Sequence, residues 1–155
     1  MPRRTSTHGY HDVTPFLLCK RVGRIIDFLK ATFGAVEHER ILGPRGHILH
    51  AVLQVGDSIV MMGEPEKSMP RLVAMPAHHY VFVDDVHAAY ERAIASGAKK
   101  FSKPVGQRLG AVVDPGGNFW WISTRELVAP GVVRKRNQAY EAKRAKAPAD
   151  ERAAG

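Results

Sequence analysis

Eight histidines, one cysteine and two adjacent tryptophans carry most of the chemistry open to this chain. Imidazole titrates near neutrality and, when neutral, binds borderline dications. Six of the histidines fall in three close pairs: His8 with His11 in a basic leading segment, His47 with His50, and His78 with His79. The last two pairs lie on stretches expected to be extended, where their spacing sends the two rings of each pair to opposite faces. A metal site would therefore have to join His50 to His78 and add an acid from a loop. The plainer reading is isolated imidazoles making ordinary hydrogen bonds. His50 and Tyr80 are the groups suited to acid or base work if chemistry occurs. Cys19 would be a nucleophile only beside a base. Its alternation with Phe16 and Leu18 instead predicts a buried structural thiol on a helix-packed face.

Those residues are positioned by a pattern that occurs twice. The run "VTPFLLC" reads as a strand, and Val22, Ile25, Ile26, Leu29 and Phe33 follow at helical spacing up to Gly34. Three strands are expected next, at "AVEHERIL", "HILHAVLQV" and "SIVMMG". The order then repeats. "AHHYVFVDD" is extended, "VHAAYERAIASGAKK" is helical with Asp84 or Asp85 as N-cap and Gly97 as terminator, and strands follow at "KKFSKPV", "RLGAVVD" and "NFWWIST". Between the units, "EPEKSMPRLVAMP" has three prolines and disfavours regular structure. "GPRGH" and "DPGGN" lack the Gly-Lys-Ser/Thr pattern of a phosphate loop and read as hairpin turns.

Spacing strengthens the repetition. Thr14 precedes Gly34 by twenty positions and His78 precedes Gly97 by nineteen. Met61 follows Gly56 by five, and Trp121 follows Gly116 by five. Thr14 then corresponds to His78, and Met61 to Trp121. Neither unit alone buries much apolar surface, so the two should pack with pseudo-twofold symmetry.

Composition sets the outer bounds. The 155 residues are 45% hydrophobic and 25% charged, as in an ordinary globular protein. No apolar run approaches the ~20 residues of a membrane span. The leading "MPRRTSTHGYHD" lacks the apolar core of a signal peptide, and a lone cysteine supports no disulfide framework. A soluble, cytoplasmic protein with no membrane partner is expected. The net charge of +8 raises the question of polyanions. From Arg125 onward, however, basic residues exceed acids by about four, so roughly half the excess lies in a short segment that reads as a solvated, fraying helix. Nucleic acid is therefore not the expected partner, although an interaction module built on that tail stays a competing reading.

With these elements placed, "IIDFLKATFGA", "HAVLQVGDSIVMM", "YVFVDDVHAAYERAIASGAK" and "GAVVDPGGNFWWIST" resemble the vicinal oxygen chelate superfamily: glyoxalase I, bleomycin-resistance proteins, fosfomycin-modifying enzymes and extradiol dioxygenases. The likeness is greatest to its PhnB-like branch. The resemblance implies an α+β fold in which two βαβββ repeats form paired cupped sheets. The expected layout is a tail over 1–12, one domain over 13–125 made of repeats 13–63 and 77–124, and a basic tail over 126–155. It also implies pairing of units within a chain, between chains or both, so a homodimer is expected.

In such proteins a divalent metal commonly sits in the cleft, held from the first and last strands of each unit. Carried over by spacing, the four positions are Thr14, Met61, His78 and Trp121. Only His78 is a good ligand: a Thr hydroxyl is poor, a thioether prefers Cu(I), and indole offers only an N–H donor. No metal or other cofactor is expected. If these four face the cleft, alternation adds Phe16, Leu18, Ile59, Tyr80, Phe82, Phe119 and Ser123. The expected site is a mostly aromatic lining of Thr14, Phe16, His50, Met61, His78, Tyr80, Phe119 and Trp121, suited to a small apolar or planar guest. Side chains that simply fill the cleft, and a metal-dependent lyase, isomerase or dioxygenase, are the competing readings. Trp121 should face the cleft, with Trp120 packed behind the sheet.

Overall fold

Helix α1, Val22–Phe33, buries Val22, Ile25, Ile26, Phe28, Leu29 and Thr32 along one stripe. Arg21 at its N-cap lies in the left-handed region (φ 60°), and its side chain makes no cap. The Glu64 carboxylate takes that role, accepting from Val22 N at 3.1 Å and from Ile48 N at 3.2 Å. At the other end Gly34 is left-handed (φ 67°), and Gly34 N and Ala35 N donate back to Lys30 and Leu29 carbonyls. A side chain there would carry the Cβ penalty that glycine avoids. Helix α2, Val86–Ala95, is capped by Asp85, which accepts from Ala88 N at 2.9 Å.

The computed structural model describes residues 10–105 and 109–125, with scattered residues further on. Strands β1 (Phe16–Leu18), β2 (Val36–Leu42), β3 (Ile48–Val55) and β4 (Ser58–Gly63) form one sheet in the order β1-β4-β3-β2. Strands β5 (His78–Phe82), β6 (Lys99–Ser102), β7 (Leu109–Val113) and β8 (Phe119–Ser123) form the second in the order β5-β8-β7-β6. In each the first strand pairs parallel to the last and the remaining pairs are antiparallel, giving βαβββ twice. The α+β class and the paired four-stranded sheets match the sequence expectation.

The helices touch each other and lie on one side of the sheets, α1 over β3 and α2 over β7 and β8. Leu17, Leu53 and Met62 from the first sheet and Val112, Trp120 and Ile122 from the second therefore join both helices in one core. Each such large apolar side chain contributes about 1.5–3 kcal/mol on full burial. The side-chain guanidinium of Arg92 adds a polar tie, donating to Thr32 O at 3.0 Å.

The Asp114–Asn118 turn locks the repeats together. Asp114, 3% exposed, accepts from Gly116 N (2.8 Å), Asn118 N (3.0 Å), Asn118 Nδ2 (2.9 Å) and Trp120 Nε1 (2.9 Å). Asn118 also accepts from Ala77 N at 3.1 Å and faces the Cys19 sulfur at 3.6 Å. Gly116 meets Ile25 so closely that a Cβ would overlap its Cδ1 and stand 3.0 Å from Lys20 O.

A second compact unit spans Arg125–Gly155. Its described residues Arg134, Lys135, Gln138, Ala139, Glu141, Ala142 and Ala145 are helical and exposed. The rest of the expected tail and residues 1–9, His8 among them, lie outside the described residues. Among the described residues, no helix is long and apolar enough to cross a membrane.

Candidate binding site

Alternation along β5 and β8 sends two sets of side chains in opposite directions. Trp120 and Ile122 turn toward the helices and are buried. Trp120 packs on Phe28 and Phe33 of α1 and on His79. Burial pushes the His79 imidazole below its ordinary titration range, and its Nε2 has no hydrogen-bond partner. Cys19 lies on the corresponding buried side of the first sheet, 2% exposed, and burial pushes its thiol up to about 11. A thiol so far from ionisation is a packing group and not a nucleophile.

The opposite face of the second sheet carries a row of rings. Register sets His78 beside Phe119, Tyr80 beside Trp121 and Phe82 beside Ser123. His78 and Phe119 stack with centroids 4.5 Å apart and planes 1° from parallel. Tyr80 and Trp121 lie 6.0 Å apart at 15°, and His78 and Trp121 6.2 Å apart at 21°. Phe101 meets Phe119 and Trp121 edge-on, at 5.0 and 5.7 Å. Ala111, paired with Trp121 and fully buried, is small enough for Phe101 to lean across β7. Edge-to-face and offset arrangements of this kind are favourable. Tyr80 nevertheless stays 63% exposed and Phe101 56%, so much of the row is open to contact.

The first sheet presents a sparser version. Phe16 pairs with Met61, and His50 falls on the same face, stacking on Phe16 at 5.9 Å and 15°. This settles the register of His50, which the sequence left open. Val52 and Ile59 are buried, whereas Phe16 is exposed. Thr14 precedes β1, its hydroxyl donating to His11 O at 3.0 Å. His47 also lies outside the expected strand; it falls in the turn before β3, with Nδ1 2.7 Å from Pro44 O.

The expected site residues thus form two groups: Phe16, His50 and Met61 with Thr14 nearby, and His78, Tyr80, Phe119 and Trp121. No hydrogen bond or ring contact joins the groups among the described residues. Sequence reasoning missed Phe101, because a bulge between Lys100 and Ser102 shifts the local register and breaks simple alternation.

The donor set does not suit a divalent metal. Hydroxyl, thioether, imidazole and indole provide one good ligand among the four positions. Among the described residues, no cluster of three or more His, Cys, Asp or Glu side chains could hold a cation. A shallow groove of about 530 Å³ lies elsewhere, along Lys30 and Ala35 to Arg40. There Glu37 pairs with Arg40 and with Lys30 (2.6 Å), and hydrogen bonding from Arg40 holds its carboxyl below the usual range. Lys30, Glu37 and Arg40 thus answer one another across the groove.

Residues 11–122 match the family model for the Glyoxalase/Bleomycin resistance protein/Dioxygenase superfamily. An uncharacterized protein of Mycobacterium tuberculosis is 33% identical over 120 residues, covering 70% of this chain and 71% of that protein. Among solved structures, TioX from Micromonospora sp. ML1 aligns with a TM-score of 0.55 and 25% identity, covering 77% of this chain and 99% of TioX. The fosfomycin resistance protein FosX from Mesorhizobium loti aligns with a TM-score of 0.55 and 16% identity, covering 74% of this chain and 91% of FosX, a likeness of fold alone.

Proposed function

The chain belongs to the Glyoxalase/Bleomycin resistance protein/Dioxygenase superfamily, and from its ring-lined second sheet we propose that it is a small-molecule binding protein without a catalytic metal. The observation that carries this reading is the open row His78, Tyr80, Phe101, Phe119 and Trp121. Aromatic side chains give large contact area for little loss of entropy, and a planar guest can extend a row whose planes are already near-parallel. Phe16, His50, Met61 and Thr14 contribute the opposing wall, supplied within one chain or by the second subunit of a homodimer. The proposed guest is a small apolar or aromatic molecule, and the proposed location is the cytoplasm.

Elemental analysis after exposure to Mn, Fe, Ni and Zn tests the metal-free part. Less than stoichiometric retention is expected. One-to-one retention that disappears in His78→Ala would overturn it in favour of a metal-dependent lyase, isomerase or dioxygenase.

A further inference from the structure

The indole N–H of Trp121 stands 3.2 Å from His78 Nδ1. An indole nitrogen can only donate, so Nδ1 must accept. A neutral imidazole that accepts at Nδ1 carries its proton on Nε2. A half-turn of the ring would set a C–H against the indole N–H and lose the bond. Stacking on Phe119 at 1° holds the ring plane as well. His78 is exposed, and none of the described residues accepts from its Nε2.

We propose that His78 Nε2–H is the fixed polar donor of the ring row, and that the site selects planar aromatic molecules carrying a hydrogen-bond acceptor, such as a carbonyl oxygen, at the rim. This rests on reading the row as a binding face and names the class of guest. Trp121 is the positioning residue, acting on the ligand through the tautomer it imposes on His78. The same bond bears on metal chemistry. A cation needs a ring lone pair, yet the one on Nδ1 is engaged by Trp121 and Nε2 is protonated. Trp121 therefore both replaces one donor of the four positions and silences the only good ligand left among them.

Two measurements test this. In ¹⁵N-labelled protein at pH 8, long-range ¹⁵N–¹H correlation should show His78 as the Nε2–H tautomer, assigned by its absence in His78→Phe. Trp121→Phe should give a mixture of tautomers. A dominant Nδ1–H form in the wild type would overturn the proposal. Equilibrium dialysis then compares 1-acetylnaphthalene with its hydrocarbon isostere 1-isopropenylnaphthalene, both neutral, so the basic charge of the chain favours neither. The ketone should bind roughly 3- to 10-fold more tightly, the effect of one neutral hydrogen bond. His78→Phe, which keeps a ring on Phe119, should bind the two alike. Equal wild-type affinities would overturn the donor while leaving the binding face intact. If neither probe binds, as when a second copy of the chain covers the rings, the binding face itself is overturned and this inference with it.

Discussion

At matched register, Phe16 beside Met61 in the first sheet corresponds to Tyr80 beside Trp121 in the second. The turns that lead into β4 and β8 differ as sharply. Gly56-Asp57 is a two-residue hairpin on the surface, whereas Asp114–Asn118 is a five-residue turn, its carboxylate buried and its Gly116 and Asn118 set against the other repeat. Repetition of a backbone thus leaves each copy free to specialise. The second sheet carries both the ring row and the clasp that holds the molecule together, and the two meet at adjacent residues: Trp120 donates to Asp114 in the clasp, and Trp121 stands in the row.

Substitutions at matched positions should expose this asymmetry. The largest effect is expected at the clasp. Asp114→Ala strands several buried donors and should cost about 3 kcal/mol in denaturant unfolding, whereas Asp57→Ala at the exposed turn should stay within about 0.5 kcal/mol. Comparable losses at both would mean the turns are equivalent after all. Next, Trp121→Ala should weaken 1-acetylnaphthalene binding roughly 30-fold, about 2 kcal/mol for a lost aromatic contact. Met61→Ala should weaken it no more than about threefold, since its thioether adds little specific contact; the reverse ranking would move the site to the first sheet. Gly116→Ala should destabilise by about 1.5 kcal/mol through overlap with Ile25. Adding Ile25→Val should recover part of that loss, and no recovery would discount the contact.

The smallest effect should be a pH dependence confined to the second repeat, where His79 holds the position that Pro15 has in the first. Burial lowers the folded-state pKa of His79, so the unfolded chain binds the extra proton first. Its contribution is full above about pH 6.5 and declines as pH falls below that toward the folded value. Melting temperatures at pH 7.5 and 5.5 should differ less in His79→Phe than in the wild type. An unchanged difference would assign the acid sensitivity to other groups.

Most of the fold was legible because helix periodicity, Gly34, Gly97 and the paired turns agreed with one another. That Trp120 and Trp121 face opposite ways followed from strand period, and the choice of Trp121 for the cleft side came from the repeat spacing and the family resemblance. The side-chain network was not legible. That Asp114 gathers four donors, that Gly116 touches Ile25 and that Glu64 caps α1 all depend on how the repeats dock, which no local pattern encodes. Phe101 was hidden by its bulge, and His50 could be oriented only once the pairing of β3 with its neighbours was known.

The contact between Asn118 and Cys19, 99 residues apart, has a consequence for the order of assembly. As the chain leaves the ribosome, α1 emerges early but Phe28 and Phe33 lack their cover until Trp120 follows. Closure must wait for a long loop, the circumstance in which folding is slow and unfinished apolar surface is most exposed to wrong partners. A nascent chain halted at the linker after β4 should thus be a client for chaperones, and release of its final strand should be the step that ends that dependence.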